Sequence, residues 1–123
     1  MDKIDWKPFL KAAFERNPVC LDGLNGKSAQ QVYELLQEMP DNSIYDDVRL
    51  AQPDEVWNFR RGDGVEKAIL LADFIKHNDE PKWLMLIVEK NSVLLESDDM
   101  KFIFKSQKKL NFKKDLLKEL IPV

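Results

Sequence analysis

Hydrophobic positions repeat with helical spacing near the start of the chain. Between Ile4 and Glu15 they form a single stripe, which predicts an amphipathic helix. The stripe consists of Trp6, Phe9, Leu10, Ala13 and Phe14. Asn17-Pro18 should end this helix, because a residue that precedes proline disfavours helical backbone. A loop that contains glycines is expected next.

A second predicted helix begins with a capping signal. Ser28 stands three residues before Gln31, the spacing at which an N-cap side chain and a side chain of the first turn bond each other's backbone amides. Apolar residues then recur on one face at Ala29, Val32, Tyr33 and Leu36. We expect this helix to stop near Pro40.

A short helix and a long buried helix are predicted in the middle of the chain. Pro53 followed by Asp54 and Glu55 suits a first helical turn, since proline and acidic residues both favour that position. The long helix should start after Asp63, with Glu66 completing a capping box, and end by Asn78. Its apolar residues cover nearly the whole circumference, so it should be the central helix of the core. They are Val65, Ala68, Ile69, Leu70, Leu71, Ala72, Phe74 and Ile75.

Strand-like segments follow the long helix. Trp83 to Val88, Val93 to Glu96 and Lys101 to Phe104 are separated by turn residues and predict a three-stranded antiparallel meander. A further short strand near Ile44 to Leu50 is an open alternative. A closing C-terminal helix is expected from Phe112, Leu116, Leu117 and Leu120. The chain is therefore predicted to be one α+β domain, residues 1–123, with helices packed on a small antiparallel sheet.

The composition predicts a soluble, cytoplasmic protein. A chain of 123 residues, 44% hydrophobic and 33% charged, can bury a core of its own. Its longest apolar run, Trp83 to Val88, is far shorter than the ~20 residues of a membrane helix. The first residues lack the basic and apolar parts of a secretory signal. The single cysteine, Cys20, fits a reducing compartment, and we expect no contact with membranes.

Charge is distributed unevenly along the sequence. The segment Lys101 to Val123 holds seven lysines against Asp115 and Glu119, a net charge of +5, which leaves −8 for residues 1–100 out of the total of −3. The basic segment carries no arginine, and lysines commonly just solvate a helix face. We therefore do not expect a nucleic-acid partner.

The segment Arg61-Gly62-Asp63, leading directly into the long apolar helix, is the most informative motif of the chain. Together with the preceding helices and the following hairpin, from Ser28 to Phe104, it resembles the transglutaminase-like superfamily, a branch of the papain-like cysteine enzymes. In that family the catalytic cysteine starts the buried helix, and the strands carry the histidine and the acid. A thiol suits a helix start because the positive dipole end lowers its pKa.

The resemblance implies that all three catalytic positions are vacant in this chain. The cysteine position falls on Gly64, the histidine position on Asn91 or Ser92, and the acid position on Lys105 or Ser106. The cysteine, the histidine and the acid belong to different elements, so shifting any one segment against the family pattern would not restore all three. The prediction is a degenerate, non-catalytic member that acts as a protein-binding, peptide-binding or structural module. The alternative is a hydrolase or acyltransferase with a rearranged site in the same cleft, and an accessory domain of a longer polypeptide is a third possibility.

Residues around the former nucleophile position are the candidate binding residues. They are Trp57, Arg60, Arg61, Asp63, Gly64 and Ser92. The helix amides after Asp63 would suit a small anion if the Asp63 side chain did not already cap them. The competing interpretation is that Trp57 packs in the core while the two arginines are solvated or paired with acids.

Other chemistry finds less support in the sequence. Cys20 is expected to be a small packed side chain, and His77, the only histidine, is expected to interact with the negative end of the long helix. The segment Gly23 to Ser28 imitates a phosphate-binding loop but has Leu21 where that loop needs its first glycine. One histidine and one cysteine cannot form a zinc site, and the acid pairs lack calcium-loop spacing. No cofactor or metal is expected.

Overall fold

The computed structural model describes residues 7–46 and 49–119, excluding the side chain of Glu119. Within them the chain forms six helices and a four-stranded antiparallel sheet, an α+β architecture. The helices are α1 Lys7–Glu15, α2 Pro18–Gly23, α3 Ala29–Glu38, α4 Pro53–Phe59, α5 Gly64–Asp79 and α6 Leu116–Glu119. The strands are β1 Met85–Glu89, β2 Ser92–Ser97, β3 Met100–Lys105 and β4 Phe112–Asp115.

The first helix is confirmed over Lys7–Glu15, and the start predicted at Ile4 lies outside the described residues. The segment after it is a correction, because Pro18–Gly23 forms a short helix rather than a loop. Its start is stabilised from a distance: the backbone amide of Cys20 donates to Asp54 at 2.8 Å. Asn17-Pro18 was interpreted only as the end of α1, although Pro18 also occupies the first turn of α2, a position that proline favours.

The three helices with capping signals form as predicted. The Ser28 hydroxyl accepts the amide of Gln31 at 3.2 Å, and the Gln31 side chain accepts the amide of Ser28 at 2.8 Å. Asp63 and Glu66 make the same reciprocal pair at the start of α5. All twelve residues from Gly64 to Ile75 are buried, which confirms α5 as the central helix of the core.

The sheet has the strand order β3-β2-β1-β4. Its first three strands are the predicted meander, and the fourth strand corrects two expectations. Phe112–Asp115 pairs antiparallel with β1 instead of belonging to the closing helix. The described residues place that helix at Leu116–Glu119, and Leu120, which was predicted to belong to it, lies outside the described residues. The described residues of the segment 44–50 contain no strand.

The core lies between α5 and one face of the sheet. Helix α5 contacts both β2 and β3, and α1, α3 and α4 pack around its other sides. Inward-facing strand residues are almost fully buried; they are Leu86, Val88, Val93, Leu95, Phe102 and Phe104. Among the described residues, no helix combines the length and apolar character needed to span a bilayer.

Candidate functional site

The start of α5 is held by a buried aspartate. Asp63 is only 2% exposed, and its Oδ2 accepts the amide of Val65 at 2.9 Å and the hydroxyl of Ser106 at 2.7 Å. Its Oδ1 accepts the amide of Gln107 at 2.7 Å. The carboxylate therefore occupies the positive end of the helix and ties it to the segment after β3. A small anion would need these helix amides to be uncapped, and because Asp63 caps them the helix start does not offer an anion site.

Gly64 makes an unusually close contact with the end of β3. A Cβ atom built on Gly64 would lie 2.1 Å from the carbonyl oxygen of Lys105, 2.7 Å from its carbonyl carbon and 3.0 Å from the Cβ of Phe104. Such distances are far below contact separations, so no side chain can be placed at Gly64 unless the backbone of β3 moves. The nucleophile position of the resemblance is thus filled by strand backbone and is not an empty cleft.

The other two positions implied by the resemblance lie beside Gly64. Ser92 pairs with Lys105 across β2 and β3, and the amide of Ser106 donates to the carbonyl of Asn91 at 3.0 Å. The Ser106 hydroxyl bonds the capping carboxylate of Asp63. The structure therefore brings together the three positions at which the resemblance implies a cysteine, a histidine and an acid in the family.

A polar groove opens at this end of the sheet. Its larger part has a volume of about 890 Å³. It is lined by Asp41, Glu89, Lys90, Asn91, Ser92, Lys105, Ser106 and Gln107. A second part of about 440 Å³ shares Asp41 and Gln107 with the first and continues past Tyr45 and Lys109. The two parts adjoin at these shared residues, and the second part is also lined by Asp63 at the start of α5; together we call them the polar groove.

One wall of the polar groove is fixed by a buried lysine. Lys67 is completely buried, and its Nζ donates to the carbonyl of Met39 at 2.7 Å and to Asp41 at 2.5 Å. Half of the Asp41 side chain remains exposed, at 53%. Sequence reasoning missed this pair. A lysine on a helix that is otherwise apolar all round was the available signal, since a buried charge requires a partner.

Glu66 anchors the loop behind the groove. Its carboxylate, 1% exposed, accepts the amides of Asp63 at 2.8 Å and Ala51 at 2.6 Å and the hydroxyl of Ser43 at 2.7 Å. Arg61 reaches the same loop, with Nη2 donating to the carbonyl of Ser43 at 3.1 Å. The loop between α3 and α4 is thereby fastened to the central helix.

Trp57 and Arg60 lie elsewhere on the molecule. The guanidinium of Arg60 stacks over the Trp57 ring at 3.7 Å, and the ring packs so closely on Gly23 that a Cβ there would lie 2.2 Å from it. This supports the packing interpretation for Trp57. Of the predicted binding residues, Asp63 and Ser92 line the polar groove, Gly64 is buried beneath Lys105, and Arg61 secures the adjoining loop.

A second cluster of reactive side chains lies near the other end of α5. Asp73 is fully buried; its Oδ2 is 3.8 Å from the sulfur of Cys20, and its Oδ1 is 3.1 Å from Nδ1 of His77. Nδ1 is closer to the backbone carbonyl of Asp73, at 2.9 Å, and bonds there. Within the described part of the chain, Oδ1 receives no hydrogen bond.

Burial controls the protonation of this second cluster. Burial first, and then the nearby Asp54 carboxylate, raise the pKa of Asp73 from 3.8 to about 7. Burial, aided by the hydrogen bond to Asp54, also raises the pKa of the Cys20 thiol far above its ordinary value. A buried, protonated thiol is a poor nucleophile. Cys20 is part of the hydrophobic core, as expected.

The fold and site define an α+β domain in which a buried, fully capped helix start lies under a polar groove at one end of a small sheet. No protein-family model, curated protein or solved structure matches the chain. Among the described residues, no group of three or more histidine, cysteine or acidic side chains is arranged to hold a metal ion.

Proposed function

We propose that this chain is a transglutaminase-like pseudoenzyme that binds a protein or peptide segment in the polar groove. The observation that carries the proposal is the contact between Gly64 and the Lys105 carbonyl, at which an added Cβ would lie 2.1 Å from the oxygen. Strand backbone occupies the space that a cysteine side chain would need. The start of α5 therefore packs directly against the end of β3, and binding takes place in the polar groove beside it.

The convergence of three positions supports the family part of the proposal. Gly64, Asn91 and Ser106 come from a helix start, a hairpin turn and the end of the next strand, and they meet at one place. These are the elements that supply the nucleophile, the base and the orienting acid in transglutaminase-like enzymes. The order of these elements along the chain is also the one that the resemblance implies.

The side chains at these positions lack the means for covalent acyl transfer. Gly64 has no nucleophilic atom, and neither Asn91 nor Ser92 can serve as a general base near neutral pH. Loss of each role typically costs several powers of ten in rate. Cys20 offers no replacement, because it is buried against Asp73 and its pKa is raised.

The lining of the polar groove suits a polar, extended chain. Its larger part is lined by amide, hydroxyl, carboxylate and ammonium side chains. Such a surface can satisfy both the donors and the acceptors of a peptide backbone, whereas a lipid or aromatic ligand would leave these groups unsatisfied. A solvent-exposed polar peptide segment, or a loop of a folded partner, is therefore the ligand class that we propose.

Peptide selection followed by a blocking variant tests the binding. A phage-displayed library of random peptides is selected on the protein, and an enriched peptide is titrated by calorimetry. Ser92→Trp, which places a large ring in the groove, should weaken binding by about tenfold or more. The matched control is Asp99→Trp, in the exposed β2–β3 turn at the opposite end of the strands, and it should bind as the wild type does. Equal binding by both variants would place the site elsewhere.

Enzyme assays separate the proposal from the rearranged-enzyme alternative. Wild-type protein is incubated with a glutamine-containing peptide and a fluorescent amine, and separately with a quenched peptide substrate. We expect no turnover in either assay. Turnover that disappears in Cys20→Ala or His77→Gln would reject the pseudoenzyme and favour a site built from the second cluster.

A further inference from the structure

The outer face of the sheet carries an apolar row in register across three strands. Ile87 on β1 pairs with Leu94 on β2, and Leu94 pairs with Ile103 on β3. These side chains point away from α5, which covers the opposite face. Ile103 is 54% exposed, and the other two are partly exposed. A shallow apolar depression of about 300 Å³ lies over this row.

The free edge of β3 is not available for strand pairing. The carbonyl of Ile103 accepts the hydroxyl of Tyr33 at 2.9 Å and the amide nitrogen of Gln37 at 3.2 Å. Helix α3 thus covers the middle of this edge, in the way that proteins commonly protect edge strands. Any partner of this region has to approach the face of the sheet.

One of the two rows beside the apolar row carries charges that are complementary to themselves under a two-fold rotation. The neighbouring row reads Glu89 on β1, Ser92 on β2 and Lys105 on β3, all in register. Glu89 and Lys105 stand two strands apart, about 10 Å, on either side of β2. A two-fold axis running along β2 between two facing sheets exchanges these sides. Glu89 of each copy then faces Lys105 of the other copy. In the row on the other side of Leu94, Glu96 lies on the axis and faces Glu96 of the other copy, with Lys101 next to it on β3.

The same operation aligns the apolar row with itself. Leu94 faces Leu94 of the second copy, and Ile87 faces its Ile103. A two-fold axis perpendicular to the strands would instead place Lys105 opposite Lys101 of the second copy at two positions and would form no opposite-charge pair. The axis along β2 forms two opposite-charge pairs against the single Glu96–Glu96 pair and is therefore favoured. The favoured axis also gives the aligned sheet packing, with about 10 Å between sheets, that is common in proteins.

We propose that the outer face of the sheet is a self-association surface, on which a second copy of this chain docks through Ile87, Leu94 and Ile103 with reciprocal Glu89–Lys105 pairs. The face is small compared with the roughly 800 Å² per partner of a standard stable interface. The dimer is therefore weak and reversible, and it forms at high protein concentration. This surface adjoins the polar groove: Glu89 and Ser92 line both, and Lys105 lines the groove.

Sedimentation velocity over a range of protein concentrations tests the proposal. The average mass of the wild type should rise from that of a monomer toward twice that value as concentration increases. Ile103→Lys should raise the dimer dissociation constant by about tenfold or more, because it places a charge in the apolar row. The control Phe59→Lys changes the most exposed large apolar residue, which is 61% exposed and lies on α4 away from the sheet, and it should leave association unchanged.

A charge exchange tests the orientation. Glu89→Lys and Lys105→Glu should each weaken association, because each places like charges opposite one another. The double variant Glu89→Lys/Lys105→Glu should recover it, since a two-fold interface restores both pairs. Thermal unfolding establishes that each variant is folded. A wild type that stays monomeric at every concentration, association unaffected by Ile103→Lys, or no recovery in the double variant would each overturn the proposal.

Discussion

Polar side chains are buried at both ends of helix α5, but they differ in how completely they are hydrogen-bonded. At the start, Asp63, Glu66 and Lys67 are almost fully buried, and each makes two or more hydrogen bonds. Toward the other end, Asp73 is equally buried, yet its Oδ1 receives no hydrogen bond within the described residues and its pKa is raised to about 7. The carboxylates at the start of the helix are therefore satisfied, whereas the carboxylate of Asp73 is only partly so. Beside the start, Nε of Arg61 also has no hydrogen-bond partner among the described residues.

This difference indicates which end contributes to specifying the fold. Saturated buried networks fix the relative positions of the elements they join, whereas an unsatisfied buried carboxylate is destabilising once it is ionised. The start of α5 joins the loop before α4 and the end of β3 to the core. Asp73 contacts α2 through Cys20. Because burial disfavours its charged form, ionisation of Asp73 does not stabilise this contact.

Removal of the Glu66 carboxylate should produce the largest loss of stability. Glu66→Ala leaves three donors, the amides of Asp63 and Ala51 and the hydroxyl of Ser43, without their acceptor. At roughly 1–3 kcal/mol for each buried unsatisfied group, we expect a loss of about 5 kcal/mol in the free energy of unfolding, measured by urea denaturation. Glu34→Ala, an exposed glutamate on α3, should cost under about 0.5 kcal/mol. A loss below about 1 kcal/mol for Glu66→Ala would mean that water can replace the carboxylate.

The second prediction concerns pH and Asp73. The folded protein holds the Asp73 proton more tightly than the unfolded chain does, because the pKa is raised from 3.8 to about 7. This contribution to stability is complete below about pH 4 and is lost as the pH rises to about 7, by at most about 4 kcal/mol. Asp73→Asn should remove this decline.

The measurement is the free energy of unfolding of wild type and Asp73→Asn at several pH values between 4 and 8. The free energy of unfolding of Asp73→Asn should rise relative to that of the wild type as the pH increases from about 4 to about 7, and the difference should then level off. Asp79→Asn, at the exposed end of the same helix, serves as the control and should run parallel to the wild type. Parallel curves for wild type and Asp73→Asn would show that Asp73 does not titrate in this range.

Gly64→Ala provides the third test, at the saturated end of the helix. The added Cβ would lie 2.1 Å from the Lys105 carbonyl, so the end of β3 has to move. We expect a loss of about 3 kcal/mol, at the upper end for overpacking. Gly26→Ala, where the backbone is left-handed at φ 87° but nothing lies within 4 Å, should cost only about 1 kcal/mol. Equal losses for the two variants would indicate that the contact with β3 relaxes easily.

The sequence predicted the elements with strong local signals. Capping pairs identified the starts of α3 and α5, the all-round apolar pattern identified α5 as central, and alternating short segments identified the meander. Helix α2 was missed because Asn17-Pro18 was interpreted only as the end of α1, and because the bond from its start to Asp54 comes from far along the chain. Strand β4 was missed because two of its four residues, Lys113 and Lys114, are lysines, and it is identified only by its pairing with β1.

The candidate site was only partly predictable for the same reason. Ser92 and Asp63 were expected at the site and do line the polar groove, but Asp41 and Gln107, which join its two parts, carry no motif. Trp57 and Arg60 were grouped with Asp63 because they are close in sequence. The chain turns at Arg60, which has φ 56°, and the stacked pair packs on α2 instead.

By itself, the sequence determined where helices begin, which helix is buried and that an antiparallel sheet follows, since these depend on neighbours within a few residues. Only the tertiary structure decided why Gly64 is a glycine, where Lys67 finds its partner and that Asp73 keeps an unsatisfied oxygen. Those outcomes depend on atoms from segments far apart in the chain. Their separation is set by packing of the whole core, and local patterns carry no record of it.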